Sequence, residues 1–283
     1  MIKFIIDRAD NADAFESCTE VRKGGLLMIE KMKEHAFLFS ELVKRDFKKK
    51  YKNTYLGMIW SLLSPLLSLL VMTLIFKNFF GRDMAHYTIY LFCGNIMFSY
   101  FSDSTSGGMG SLVANSSIFT KIKVPKFLFL LSRNVSSLIN FGLTFLVFWV
   151  FLIIDGVTIT WAFFGLIIPI LLLALFNVGM GLILSALFVF FRDMQYLWSI
   201  FTMLLMYMSA IFYTVTEEAF GAFAYAFYLN PLYVYITYMR TIVLDGVMPS
   251  LEINVLAIAY ALIVVVIGAL IYKKCNHKFL YYV

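Results

Sequence analysis

The stretch KKKYKNTYLGMIWSLLSPLLSLLVMTLIF, residues 48–76, decides the fold. Lys48, Lys49, Lys50 and Lys52 abut a run, 53–76, that holds no charged side chain. A hydrocarbon core of about 30 Å needs about 20 helical residues, and this run supplies them before Lys77 closes it. Lys and Arg beside an apolar run mark a cytoplasmic membrane flank. A nucleic-acid reading of the same basic run is disfavoured by the apolar run that follows it.

Working outward, the pattern repeats. Charge-poor runs at 84–102, 134–154, 156–191, 194–216 and 253–272 give five further candidate spans. The fourth is long enough to tilt or to carry an interfacial lead-in at Trp161. Over 283 residues, 61% are hydrophobic and 14% charged, and mean hydropathy is +0.85. Soluble domains carry about 25% charged residues, so lipid must be the solvent for much of this chain.

The run 219–239 is contested. It is uncharged and rich in aromatics, but Asn230-Pro231 interrupts it. Proline removes a backbone donor and restrains the residue before it. Broken backbone at membrane depth survives only inside protein or along a cavity. The run is therefore read as a re-entrant hairpin over about 217–240. Charge placement supports six spans and a cytoplasmic start. With Asp103, at the end of the second run, left out, the segments placed inside then sum to +10 and those outside to −3. A seventh crossing would put the basic tail, with Lys273, Lys274 and Lys278, outside, against the positive-inside tendency.

Residues 34–47 are amphipathic, with Phe39, Leu42, Val43 and Phe47 on one face. An interfacial helix along the cytoplasmic surface is expected; a helix packing on its own protein is the plainer reading. In the inside loop 112–131, Asn115, Ser116 and Ser117 offer N-caps. Ile118, Phe119, Thr120, Lys121, Ile122 and Lys123 then form one or two turns, stopped before Pro125. Such a helix suits docking on a partner, or is a solvated connector. Asp103 and Arg240 are the ionisable groups nearest membrane depth, where charge is a functional hint; the plainer reading is that both simply lie at the interface. Arg192-Asp193 reads as a local ion pair or cap. Tyr225, Tyr228, Tyr233, Tyr235 and Tyr238 suit a bilayer interface or stacking on sugar rings.

Cys18, Cys93 and Cys275 have no metal or disulfide spacing, and His35, His86 and His277 are scattered. The acidic segment before residue 20 is not a secretory signal. No G-x-x-x-x-G-K-[ST] loop, H-E-x-x-H or G-x-S-x-G motif occurs. No catalytic residue, metal site or cofactor is expected in this chain.

Several blocks resemble a family. Lys44-Arg45-Asp46-Phe47 followed by Tyr51, Leu56-Gly57, Trp60 and Pro65 resembles the opening of type-2 ABC export permeases for O-antigen, capsule or teichoic acid. Lys123-Val124-Pro125-Lys126 resembles that family's coupling loop, and Phe191-Arg192-Asp193-Met194 its turn after span four. Asn230-Pro231-Leu232-Tyr233 with Arg240 resembles its outward re-entrant block. Ala210 departs from it, because a proline is common there. The resemblance covers about 41–272.

The resemblance implies an all-α integral membrane protein. It would have six transmembrane helices, an N-terminal interfacial helix (34–52), a coupling helix and a re-entrant hairpin before the last span. Residues 1–33 form a cytoplasmic extension, 53–272 the membrane domain and 273–283 a cytoplasmic tail. It implies a second copy of the chain and two ATP-binding cassette subunits that bind ATP and Mg. They would dock on Asn115, Ser116, Ile118, Phe119, Thr120, Lys121, Lys123 and Pro125. The cargo would be a lipid-linked glycan or polyol phosphate, moved across the cytoplasmic membrane between the two copies. Arg45, Lys48, Lys49, Lys50 and Lys52 are candidates for holding its head group, or simply signal topology. Tyr51, Trp60, Asp103, Tyr228, Asn230, Pro231, Tyr233 and Arg240 are candidate channel or gate residues. Two rivals stay open: a membrane-embedded transferase acting on lipid-linked sugars, and a non-transporting scaffold.

Overall fold

The apolar run after the basic flank is helical in the computed structural model, which describes residues 36–48, 57–80, 84–121, 124–215, 220–275 and 279–282. The segment 1–33 and Lys49, Lys50, Tyr51, Lys52 and Lys123 lie outside the described residues. The chain divides into two units at 42/43. Of the first unit, 36–42 is described and is helical; that helix, α1, continues in the second unit through 48.

In the second unit a 3-10 turn, Gly57–Ile59, enters α2, Trp60–Phe80. There follow α3 (Tyr87–Ala114), α4 (Ser116–Phe119) and α5 (Phe127–Ile154). A 3-10 turn at Trp161–Leu166 leads into α6, Ile167–Phe190, and α7 is Met194–Met208. A 3-10 segment, Gly221–Leu229, precedes α8, Pro231–Arg240, which runs on as a π-helical turn, Thr241–Asp245. The helices α9, Leu251–Cys275, and α10, Phe279–Tyr282, complete the described chain.

Among the described residues, four segments are long and apolar enough to cross a membrane: Trp60–Lys77, Phe127–Ile154, Trp161–Phe190 and Leu251–Cys275. The helix α3 has 28 residues but dilutes its hydropathy with Asn95, Ser99, Asp103 and Ser104. The 15 residues of α7 span about 22 Å at 1.5 Å per residue.

Three boundaries differ most from the expected ones. Asp103 does not close the second apolar run, because α3 passes through it to Ala114. Arg133 Nη2 lies 3.4 Å from its carboxylate, and Ser104 Oγ donates to Asn134 Oδ1 beside it, so α5 answers the polar groups of α3. The third run starts at Phe127, not at residue 134, because Arg133 lies inside the helix, paired with Asp103 of α3, rather than at its edge. The fifth stops at Met208, where Ser209 and Ala210 turn and Ala210 adopts φ +49°.

The central helix is α6, packed on α3 and α9, while α3 also packs on α5 and α8. Where α6 crosses α9, a Cβ on Gly179 would lie 2.7 Å from the Val264 carbonyl carbon. One on Gly268 would lie 2.5 Å from the Gly179 carbonyl oxygen. Small residues let two backbones meet where lipid offers no hydrophobic drive for helix pairing.

The connectors gather at two ends. At one, His86 Nδ1 lies 2.7 Å from Asp155 Oδ2, and Thr160 Oγ1 donates to the Gly246 carbonyl at 3.1 Å. At the other, Ser132 Oγ donates to Asp46 Oδ2 at 3.0 Å, and Phe190 meets Tyr282 with ring centres 5.0 Å apart. The first end holds loops that charge counting groups outside; the second holds loops it groups inside.

Candidate functional site

The break at Asn230-Pro231 is built from local chemistry. Asn230 Oδ1 accepts from the Leu232 N–H at 3.0 Å and so caps α8. Pro231 occupies the first turn, where no N–H is needed. Alongside, Tyr260 OH donates to the Tyr228 carbonyl and Tyr235 OH to the Ala257 carbonyl, both at 2.9 Å. Tyr238 OH donates to Asn254 Oδ1 at 2.6 Å. The break therefore lies level with Tyr260, about 14 Å along α9 from Leu251 at 1.5 Å per residue. From there α8 climbs back toward Gly246.

A clamp joins α8 to the end of α7. Arg240 is 7% exposed. Its Nη1 donates to the Ala210 carbonyl and its Nη2 to the Ile211 carbonyl, both at 3.0 Å. Nε and Nη2 also reach the Tyr90 carbonyl at 3.3 Å. The guanidinium carbon lies 3.4 Å from the centre of the Tyr90 ring. Tyr90 OH donates to the Tyr213 carbonyl at 2.6 Å, and Tyr87 OH to the Phe212 carbonyl at 2.7 Å. Asn230 Nδ2 donates to Ser209 Oγ at 3.0 Å. A cation at the C-terminal end of a helix answers carbonyls that lack intrahelical partners. Proline, held near φ −65°, does not fit the backbone of Ala210, and side-chain donors hold this turn.

The structure thus separates the candidate gate residues. Asn230, Tyr233 and Arg240 are buried, Tyr228 and Pro231 half-buried. Arg240 holds the segment together from within. Tyr235 and Tyr238 are fully buried, whereas Tyr225 is exposed. Trp60 and Asp103 meet elsewhere, along one groove between α2, α3 and α5.

At the opposite end α4 is a single turn. Asn115 does not cap it: its Nδ2 donates back to the Ser111 carbonyl at 2.7 Å, finishing α3 instead. Phe119 is buried against Phe129, ring centres 6.1 Å apart. The Lys126 ammonium lies 5.7 Å from the Phe119 ring centre and 5.5 Å from that of Phe279. Partial burial there pushes its pKa below the ordinary lysine value. Ser117, Thr120 and Lys121 face solvent, while Ser116, Ile118 and Pro125 are half-buried. Arg192 and Asp193 do not pair with each other; Arg192 lies over the Phe188 ring at 5.4 Å and Asp193 precedes α7 without a side-chain cap. On α1, Leu42 is buried, and Phe39, Val43 and Phe47 are half-buried; Arg45 and Lys48 are exposed.

Sequence reasoning missed Asp46, Ser132, Tyr87 and Tyr90. Asp46 is buried and takes Arg45 Nη2 at 2.7 Å as well as Ser132 Oγ. An acidic residue inside a basic run is the one signal that pointed to it.

Long apolar helices joined by short connectors, with a capped break beside the last long helix, define a polytopic helical membrane protein. The chain belongs to the ABC-2 type transporter family, whose model matches residues 38–244. It is 29% identical over 248 residues to the O-antigen export system permease protein RfbA of Klebsiella pneumoniae, covering 86% of this chain and 95% of that one. The Myxococcus xanthus protein of that name is 24% identical over 89% of this chain and 97% of its own length. The capsule polysaccharide export inner-membrane protein CtrC of Neisseria meningitidis is 26% identical over 67% of this chain and 71% of its own.

Proposed function

We propose that this chain is the membrane-spanning permease subunit of an ATP-driven exporter that carries a lipid-linked polysaccharide across the cytoplasmic membrane. The observation that carries the reading is similarity to O-antigen export permeases over 95% of their length. It is joined to a helical body whose connectors sort to two ends by charge.

In this reading the chain crosses six times, through α2, α3, α5, α6, α7 and α9, and both termini face the cytoplasm. The segment 220–240 enters and leaves the outer face with Asn230-Pro231 at its tip. Two copies flank the path, and a separate ATPase docks on α1 and on α4 with the turn that follows it, where Thr120 and Lys121 are exposed. ATP and Mg belong to that partner. Its closure moves α4, and the helices beside the path shift. The cytoplasmic basic flank, including Lys48, draws the anionic head of the carrier lipid by long-range attraction.

The test is deletion of the chain in its source organism. Surface polysaccharide is expected to disappear while lipid-linked polymer accumulates inside, and a plasmid copy restores export. Unchanged surface polysaccharide would sink the reading. Changing Lys48, Lys49, Lys50 and Lys52 to Gln in a correctly inserted chain tests the head-group role, with slower export as the expected outcome.

A further inference from the structure

A groove of about 420 Å³ lies between the start of α5, the middle of α6 and the end of α9. Its wall is apolar along most of its length: Phe127 and Leu131 of α5, Val178 and Leu182 of α6, and Ala269 of α9. Leu182 and Val178 lie about 12 Å and about 18 Å along α6 from its end at Phe190, at 1.5 Å per residue. The groove therefore runs from helix ends into the membrane to about the depth of one leaflet, half of a hydrocarbon core of about 30 Å.

The mouth is basic. Lys126 immediately precedes α5, and Lys273 stands in the last turn of α9. They are far apart in the chain, yet both line the groove, and no Asp or Glu among the described residues does. Lys126 is held in place, its ammonium 5.7 Å from the Phe119 ring centre and 5.5 Å from that of Phe279. Tyr272, beside Lys273, also lines the groove. Its ring packs on Phe279, centres 5.1 Å apart. Its buried hydroxyl has no hydrogen-bond partner among the described residues. A buried hydroxyl without a partner is costly. Lysines that merely snorkel to the interface leave that cost unanswered.

Charge and shape together select the occupant. An apolar helix from a partner would cover the wall but set two ammoniums against carbon. A free phosphate would answer the lysines and leave the apolar wall bare. A molecule with an anionic phosphate at one end and a hydrocarbon chain at the other answers both. Basic pockets between transmembrane helices at the cytoplasmic side take anionic lipid headgroups in this way.

We infer that this groove holds an anionic phospholipid of the surrounding bilayer. Its phosphate lies between Lys126 and Lys273 and accepts from the Tyr272 hydroxyl, and one acyl chain runs along α6. The inference goes beyond the permease reading: it concerns a resident lipid, not the cargo, and stands whatever the chain carries. The full chain purified in detergent tests it, with phosphatidylglycerol as the probe and the thermal unfolding midpoint as the readout. A lipid that binds only the folded chain stabilises it by mass action. Phosphatidylglycerol is expected to raise the midpoint, whereas phosphatidylcholine, which has no net charge, is not. With Lys126→Gln and Lys273→Gln together, the half-maximal phosphatidylglycerol concentration should rise about thirtyfold, the effect of two lysines near anionic lipid. Lys121→Gln with Arg192→Gln removes the same charge from exposed positions outside the groove and should leave it near wild type. Ala269→Trp, at an exposed position on the groove wall, keeps both lysines but fills the space for the acyl chain. It should weaken binding about tenfold, the effect of excluding about two CH2 groups. Equal stabilisation by phosphatidylcholine, equal losses in the two cation pairs, or undiminished binding to Ala269→Trp would each overturn the inference. A polyprenyl phosphate tested alongside should bind more weakly than phosphatidylglycerol. Tighter binding that depends on Lys126 and Lys273 would overturn the assignment to bilayer phospholipid and give the groove to a carrier lipid. Failure of the deletion phenotype would instead strike the permease reading.

Discussion

Arg240 shows how one residue can hold two elements. Its planar fork donates to three backbone carbonyls, those of Tyr90, Ala210 and Ile211. Lysine has a single ammonium and cannot reproduce that geometry. Arg240→Lys is expected to destabilise the folded chain by about 3 kcal/mol, the effect of losing one or two hydrogen bonds to a charged group. Thermal unfolding in detergent measures it, and an unchanged midpoint would refute the clamp. Gly94 belongs to the same arrangement, because a Cβ there would lie 2.9 Å from Arg240 Nη2. The sequence marked Arg240 as an ionisable group near membrane depth but hid its role. Its partners are carbonyls up to 150 positions away, and every residue carries a carbonyl.

At the scale of elements, the α6–α9 crossing depends on missing side chains. Gly179→Val would put its Cβ 2.7 Å from the Val264 carbonyl carbon and the Val265 nitrogen. Overpacking of this kind costs about 2 kcal/mol, and here the obstacle is main chain that cannot rotate away. A lower unfolding midpoint with retained membrane insertion is expected. At the end of α4 two kinds of residue part: Phe119, its last residue, anchors inward, while Thr120 and Lys121 just after it face outward. Lys121→Glu should therefore weaken co-purification of the ATPase several-fold and leave the midpoint unchanged. Phe119→Ala should lower the midpoint by removing buried aromatic surface, at about 3 kcal/mol. If Lys121→Glu left co-purification intact, the docking surface would have to lie elsewhere.

Across the whole molecule, the two groups of connectors predict topology. His86 and Asp155 share one end; Asp46, Ser132 and Tyr282 share the other. An impermeant thiol reagent applied to intact cells should label a cysteine placed at Gly156 or Val247. It should miss one placed at Lys121 or Tyr282. Labelling of Tyr282→Cys from outside would exclude the six-crossing arrangement. Which loops share an end was legible because Lys and Arg near an apolar run bias its orientation residue by residue. Helix ends were less legible. Asp103 looked like a span boundary only because its partner Arg133 lies on another helix.

The sequence by itself determined that this chain lives in lipid, where its oily runs lie, which loops belong together and which family it joins. Those properties are sums over neighbouring residues: hydropathy, charge bias and motif order. Tertiary structure alone decided that Asn115 finishes α3 rather than starting α4, and that Arg240 clamps the end of α7. It alone brought Lys126 and Lys273 to one groove. The reason is physical: hydrogen bonds and cavities depend on direction and distance in space, and groups far apart along the chain acquire both only when the helices pack.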